Sequence, residues 1–431
     1  MPHIYISEKD STIAGRGEES TNVVFIPGLL EQDAKWERDS EEKILDPIRL
    51  FKSVKAFEEK AGKPSANNLN SIMAEKLLEL GMYVLFEAVG SVDDTDFFDE
   101  TAELASGELP ELDFDEVARK ASWSELKDKG LYKVKFLTTG AAKSGAFTEI
   151  EDPVTQELHH VGADMLECAA SRGDCIALLD HEKEVEITGD STMAETVHEE
   201  FAGLSELDSA KMAAAFSPWC KCWLSKKETE LPGSFIYLSA YGTASKDSPN
   251  WFAYAGSMRG KAPFKIEPLS KYGDAAAAVL QSRDIEADGD FGEDDNIGFA
   301  VNPICNIDPF GNIVWGNRTL MYNAEGLRAS SFLNIRNLVC DIKKTLYKAS
   351  RKFTFEQNDD ILWANFCSEI SPLLDRALSG SGIRGYKITQ EETSIKGRLK
   401  AHIKIIPIEA AEDFDLTVEM TDSLETVTEN A

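Results

Sequence analysis

The chain has 431 residues, 42% of them hydrophobic, and a formal net charge of -31, so it is long enough for two or three domains with real cores. So acidic a balance argues against general nucleic-acid binding, which needs a basic face, and favours solubility at high concentration. No apolar run approaches a membrane span, and Met1-Pro-His-Ile-Tyr-Ile6 has neither the basic nor the apolar region of a secretory signal.

Residues 1–22 read as an arm. Ile4 and Ile6 alternate around Tyr5, as in a short strand. Ser7 to Ser20 is polar and cannot bury a core. About fifteen such residues, fully extended, reach roughly 50 Å, far enough to meet a neighbouring molecule; a solvated tail is the equal alternative. Val23 to Gly28 is the first core strand. Leu50, Phe51, Val54 and Phe57 keep helical spacing, which predicts a helix over 48–59. A second helix over 70–80 leads into a strand at 82–86. Residues 91–130 are acidic and less regular, as a solvated surface is.

A strand at 132–137, a helix over 156–171 and a buried strand at 174–180 make a βαβ unit. A parallel or mixed sheet follows. Ser217-Pro218-Trp219 begins the next strand. Phe235 to Tyr241 fits helix or strand. Between Asn302-Pro303 and a long amphipathic helix lies Gly311-Asn-Ile-Val-Trp-Gly-Asn-Arg-Thr-Leu320. Pro309-Phe310-Gly311 reads as a tight turn, and Ile313 to Trp315 as a short strand. Gly316 suggests the close approach of another backbone. Arg318 is suited to hold carbonyls or a carboxylate.

The long helix runs over 331–351. Ile335, Leu338, Val339, Ile342 and Leu346 line one face. Lys344, Lys348, Arg351 and Lys352 lie opposite, either as a docking face for an acidic partner or as a solvated surface. The helix over 361–378, with Arg376 and Arg384 as its basic candidates, is the alternative contact. Leu399 to Ile406 alternates as a strand stopped by Pro407. After a polar spacer, Phe414, Leu416, Val418 and Met420 alternate with Asp415, Thr417, Glu419 and Thr421. No hairpin turn joins these two strands. The second is either an edge strand of its own domain or a strand donated to another subunit.

Sites for chemistry are weak. Gly140-Ala-Ala-Lys143-Ser144-Gly lacks the spacing of a phosphate loop and reads as a strand-end loop. Asp284 to Asp295 departs from a calcium loop at its twelfth position, where a bidentate Glu belongs. Cys220-Lys-Cys222 has no second pair at zinc-ligand spacing. The seven cysteines, odd in number and irregularly spaced, read as reduced, mostly buried thiols. His159-His160 falls at a helix start, and no nucleophile elbow or zinc-protease helix is present. We therefore assign no catalytic residue, metal or cofactor.

The order Gly311, Val314, Trp315, Gly316, Arg318, Thr319, Leu320, after an Asn-Pro segment and before a long helix, resembles the motif of contractile tail sheath proteins. These form the sheaths of contractile-tailed phages, R-type pyocins and related injection machines. The resemblance is strong from about 298 to 421 and rests on order alone over 23–90 and 131–260. Leu231-Pro-Gly-Ser234 departs from the family's Pro-Pro-Ser.

The resemblance implies an outer α/β domain with a mixed sheet (23–300), an inner α+β C-terminal domain (301–408), and extended N- and C-terminal strand arms (1–22 and 409–431). It implies arms that add strands to a small sheet in neighbouring subunits, so that Ile4, Tyr5, Ile6, Phe414, Leu416, Val418 and Met420 are inter-subunit residues. It implies a basic helix facing an inner tail tube protein, with baseplate and tail terminator proteins as further partners. The expected role is a non-enzymatic homo-oligomer, a helical sheath in a virion tail assembled in the host bacterial cytoplasm. Such a sheath contracts to drive the tube through an envelope. A pyocin-like or extracellular injection system is the alternative within the class, and a nucleotide-dependent α/β enzyme the alternative outside it.

Overall fold

A computed structural model describes residues 22–99, 111–151, 156–183, 191–224, 227–282, 298–324, 326–392 and 397–410. Its centre is a mixed sheet of eight strands, in the order β13-β12-β8-β7-β4-β1-β3-β2. These are β1 (Val23–Leu30), β2 (Ile48–Phe51), β3 (Tyr83–Ser91), β4 (Phe136–Leu137), β7 (Ile176–Asp180), β8 (Ala213–Ser217), β12 (Val301–Ile307) and β13 (Gly311–Val314). The six inner strands run parallel, and β2 and β13 flank them antiparallel. All residues of β1, β7 and β8 are buried, which is why those strands read as continuous apolar runs rather than alternating ones.

Smaller sheets are β5 (Glu149–Glu151) with β6 (Leu158–His160), and β9 (Cys220–Leu224) between β10 (Lys227–Leu231) and β11 (Ile266–Pro268). The hairpin β14 (Ile383–Glu391) and β15 (Lys400–Pro407) stands apart. The helices are α1 (Val54–Ala61), α2 (Leu69–Glu79), α3 (Phe114–Lys120), α4 (Val161–Arg172), α5 (Ser191–Glu200), α6 (Ala202–Ser205), α7 (Gly233–Ala244), α8 (Gly256–Arg259), α9 (Asp274–Leu280), α10 (Leu333–Lys352) and α11 (Asp360–Ser379).

Helices cover both faces of the large sheet. Val24 pairs with Phe136 and Phe25 with Leu137, so Phe136 and Phe25 point to opposite faces. Phe136 packs on Tyr237 and Tyr241 of α7, and Phe25 packs edge-on against Trp123 beyond α3.

A second core lies outside this sheet. Ile335, Leu338, Val339 and Ile342 of α10 meet Phe366, Ile370, Leu373, Leu374 and Ala377 of α11, with Trp251, Ile383 and Ile405. Leu333 and Cys340, on another side of α10, belong to the sheet's core. The helix is thus shared, and every residue from Leu333 to Ile342 is buried. The polar ones, Asn334, Arg336, Asn337 and Asp341, face protein rather than water.

Several sequence expectations change. Residues 48–59 are not one helix: Ile48–Phe51 pairs antiparallel with β3, and the Ser53 hydroxyl caps a shorter helix by accepting from the Ala56 amide. The spacing that looked helical combines Leu50, largely exposed at 41%, with residues of α1. The strand over 132–137 shortens to Phe136–Leu137. His159 and His160 lie in β6, and α4 starts only at Val161. Ser217 ends β8 and Pro218 turns the chain through a cis peptide before β9, so Ser217-Pro218 does not begin a strand. Phe235 to Tyr241 is helical, wholly buried within α7. Residue 301 does not divide the two cores, because β12 and β13 complete the large sheet through β8.

Candidate interaction surfaces

The Gly311–Leu320 stretch fastens one core to the other. β12 and β13 form a hairpin across Pro309-Phe310, with the Phe310 amide donating to the Ile307 carbonyl at 2.6 Å. The glycine at 316 is explained by close approach: a Cβ there would lie 2.9 Å from the Asn302 Cα. Asn302 sits under the motif, accepting from the Arg318 amide at 2.7 Å and donating to the Arg318 and Ala215 carbonyls at 2.8 and 2.9 Å. Arg318 is buried, its guanidinium 5.1 Å from the centre of the Phe332 ring.

Beyond it, the Thr319 hydroxyl donates to the Ser330 carbonyl at 2.9 Å, and the Leu320 amide donates to the Ala213 carbonyl of β8 at 2.9 Å. Asn317 and Asn334 exchange hydrogen bonds at the start of α10, and Asn334 reaches the Trp251 carbonyl. The motif therefore places α10 against the sheet. Trp315 is partly exposed at 40% and Val314 is buried.

A buried ion pair makes a second tie. Lys135, next to β4, reaches Asp341 of α10 at 3.1 Å with both side chains almost inaccessible. Asn250 also donates to Asp341, and the Tyr241 hydroxyl donates to Asn250 at 2.8 Å. Burial pulls the Lys135 ammonium down to about 8, against the attraction of Asp341. Sequence reading missed this pair: nothing in the local pattern around Lys135 distinguishes it from a surface lysine.

The proposed docking residues on α10 do share a face. Lys344 is half-buried, and Lys348, Arg351 and Lys352 are exposed in the last turns, opposite the apolar stripe. Lys352 is held by Glu369 of α11 at 2.6 Å, and the Arg351 guanidinium lies 5.7 Å from the Tyr347 ring centre. Arg376 lies in α11, whereas Arg384 belongs to β14 and pairs with Glu409 at 3.8 Å.

The third surface is the hairpin. Tyr386, Ile388, Ile403 and Ile405 belong to the second core. The other face carries Lys387 directly opposite Lys404, and Glu391 opposite Lys400. The sheet has two strands, so among the described residues each has one edge without a strand neighbour. The arm residues Ile4, Tyr5, Ile6, Phe414, Leu416, Val418 and Met420 lie outside the described residues, as does Asp284 to Asp295.

The phosphate-loop candidate is filled by the protein itself. In the loop after β4, the Ala141 amide donates to Asn70 Oδ1 at 2.7 Å and the Ser144 amide to Asp115 at 2.9 Å. Lys143 is held by Asp99 at 2.8 Å and Glu111 at 3.0 Å. The amides of Gly140, Ala141 and Ser144 are committed to side chains and that of Gly145 to the Ala142 carbonyl. Cys220 and Cys222 are buried in β9, and burial pushes both thiols up. Among the described residues no disulfide joins any of the seven cysteines and no cluster of metal-binding side chains occurs. No described helix is long and apolar enough to cross a membrane.

One buried acid was not legible. Asp180, at the end of β7, accepts from the amide of Ser234 at 2.8 Å and from its hydroxyl, capping α7 from a neighbouring strand. Burial raises it to about 7 despite these bonds, and burial lowers the adjacent His181 to about 4.

No protein-family model matches the chain, and no curated protein matches it by sequence. Solved structures do match its fold. A chain of the PVC sheath complex, an extracellular contractile injection system in the contracted state, superposes with a TM-score of 0.59 at 16% identity, covering 99% of this chain and 98% of that one. A chain of the anti-feeding prophage (AFP) baseplate in the contracted state gives 0.60 at 15% identity over 98% and 99%. A chain of the contracted AFP helical sheath gives 0.53 at 15% over 97% and 99%. From end to end, the fold of this chain is that of contractile sheath proteins.

Proposed function

We propose that the chain is the structural subunit of a contractile sheath. Copies polymerise in a helix around an inner tube, and the sheath shortens to drive that tube through a target envelope. The observation that carries this reading is the fold likeness over nearly the whole of both chains. The same coverage, without a large insertion on either side, favours the compact sheaths of injection systems over a larger phage sheath.

The open hairpin supports the mode of assembly. The hairpin packs one face on the second core, and its unpaired edges invite uncontrolled pairing. Strands donated by the arms of neighbours, Ile4 to Ile6 and Phe414 to Met420, would complete it. Head-to-tail contacts of this kind build open filaments when the rotation does not close. Each donated strand also tethers neighbours while their globular parts slide. The inner domain and the basic end of α10 would face the tube, with baseplate and terminator proteins at the ends. The particle would assemble in a bacterial cytoplasm.

Electron microscopy of the purified protein tests the reading: tubes or polysheaths are expected. Protein that stays monomeric under all conditions and binds a nucleotide tightly with Mg²⁺ would favour the enzyme alternative.

A further inference from the structure

The outward face of the hairpin carries a conflict. Lys387 and Lys404 are exposed and directly opposite, and like charges so placed destabilise a strand pair. Among the described residues neither makes an ion pair. In a chain of net charge -31, carboxylates are abundant, so leaving two facing lysines without one is notable.

The two strands differ in what they offer a third. On β15 the outward residues are Lys400, His402, Lys404 and the exposed Ile406; the two lysines are four residues apart. Lys400 shares Glu391 of β14, at 2.5 Å, with His402 at 3.1 Å, whereas Lys404 makes no such pair among the described residues. On β14 the same spacing gives Lys387 and Glu391. The C-terminal arm supplies the complement. With Phe414, Leu416, Val418 and Met420 turned toward the second core, its outward residues are Asp415, Thr417 and Glu419, two acids four residues apart. Beside β15, in either strand direction, both acids meet lysines. Beside β14, one of them meets Glu391. The N-terminal arm has no such match, because His3, Tyr5 and Ser7 flank Ile4 and Ile6.

We infer that Lys400 and Lys404 form a charge-coded acceptor on the free edge of β15, and that it selects the C-terminal arm of another copy through Asp415 and Glu419. The inference rests on the strand-donation reading above and assigns the edge, the arm and the contacts within it. The arm of the same copy is not the occupant. The chain continues past Pro407 along β14, with the Ile408 amide donating to the Gly382 carbonyl at 3.2 Å. A return hairpin in the matching register would turn at Glu409-Ala410, and neither residue favours the positive φ of a tight hairpin turn. Lys404 also explains why Lys387 is tolerated: an arriving carboxylate relieves the repulsion, so the hairpin is more stable occupied than empty.

A charge swap in full-length protein tests this. The hairpin variant carries Lys400→Glu and Lys404→Glu; the arm variant carries Asp415→Lys and Glu419→Lys. Each alone should raise the concentration needed for polymerisation roughly tenfold, since two cross-strand attractions become repulsions. Mixing the two variants should restore tubes, because each then offers the arm the other accepts, and so should combining all four changes in one chain. Circular dichroism melts of each monomer separate the effect from misfolding: the arm variant should match the parent, and the hairpin variant should differ only by the loss of the exposed Lys400–Glu391 pair. Charge-reversed variants that polymerise like the parent, or a mixture that does not recover, would overturn the inference. Deletion of Phe414 to Ala431 separates the two readings. Loss of tubes on deletion with indifferent charge variants would refute only the charge code, whereas tubes formed without the arm would refute strand donation itself.

Discussion

The two cores of this molecule are built to different degrees of completion. In the sheet-centred core, β1 is paired on both sides and all eight of its residues are buried. In the C-terminal lobe, β14 is longer, yet only Ile383 is buried, and the sheet ends after two strands. In the large sheet the six inner strands are paired on both sides, and only the short β13 and β2 are edges. The small core holds its hairpin by one face on α11 and leaves edges that another chain can complete. The division is physical: the core that is closed by its own strands and the lobe that leaves strand edges open are separate, joined through one shared helix.

That joint is where the comparison breaks most easily. Replacing Lys135 by Ala leaves Asp341 charged and buried without its partner. A loss of about 3–5 kcal/mol is expected, measured by urea unfolding. The transition should also lose coincidence between a probe in the sheet core and one at Trp251 if the two cores separate. A single unchanged transition would show that the pair does not couple them.

Gly316→Ala strikes the same joint from the motif side. The new methyl would press on the Asn302 backbone and disturb the bonds Asn302 makes to Arg318 and Ala215. A cost of about 1–3 kcal/mol follows from the unmet buried groups, readable as a lowered melting temperature.

The pH response sharpens the account of the large core. Asp180, raised to about 7 from the ordinary 3.8, is protonated more in the folded than in the unfolded chain across that range, so its contribution falls as pH rises through it. His181, lowered to about 4 from 6.5, binds protons more readily when unfolded, so its contribution grows over the same rise. The neighbours oppose each other. In Asp180→Asn, stability should climb more steeply between about pH 4 and 6.5 than in the parent, measured by denaturant titration at each pH. A profile parallel to the parent's would contradict the assignment.

The smallest effect on stability belongs to the basic end of α10. Exposed charge contacts contribute about 0.2–1 kcal/mol each, so Lys344→Glu with Lys348→Glu should melt like the parent. On a tube, repetition over every subunit magnifies the loss. Assembly of extended sheath should fail, increasingly so at low salt, while tube-free polysheath persists. Normal assembly around tubes would leave this face as solvated surface.

Much of the fold was legible in sequence. Continuous apolar runs such as Val23 to Gly28 and Ile176 to Leu179 marked the buried parallel strands, and the motif after Gly311 pointed to the fold before any geometry was known. The helix α10 was found, but its periodicity was read as one apolar face with a basic face opposite, turned either to an acidic partner or to water. A stripe of i, i+3, i+4 spacing does not reveal that another side of the helix, at Leu333 and Cys340, meets the core of the large sheet. Lys135, Asp180 and the Lys387–Lys404 pair stayed hidden for the same reason: each is defined by a partner more than fifteen residues away. The lysines of β15 were visible within its alternation, and only the register with β14 turned them into a feature.

Hydrogen exchange on monomer and on assembled tubes tests the central claim most directly, because it reads both regions at once. Amides of β1, β7 and β8 should be strongly protected in both states. Amides of β14 and β15 should exchange rapidly in the monomer and become protected on assembly, and deletion of Phe414 to Ala431 should abolish that gain. A hairpin equally protected in the monomer, or equally open in the tube, would contradict the account.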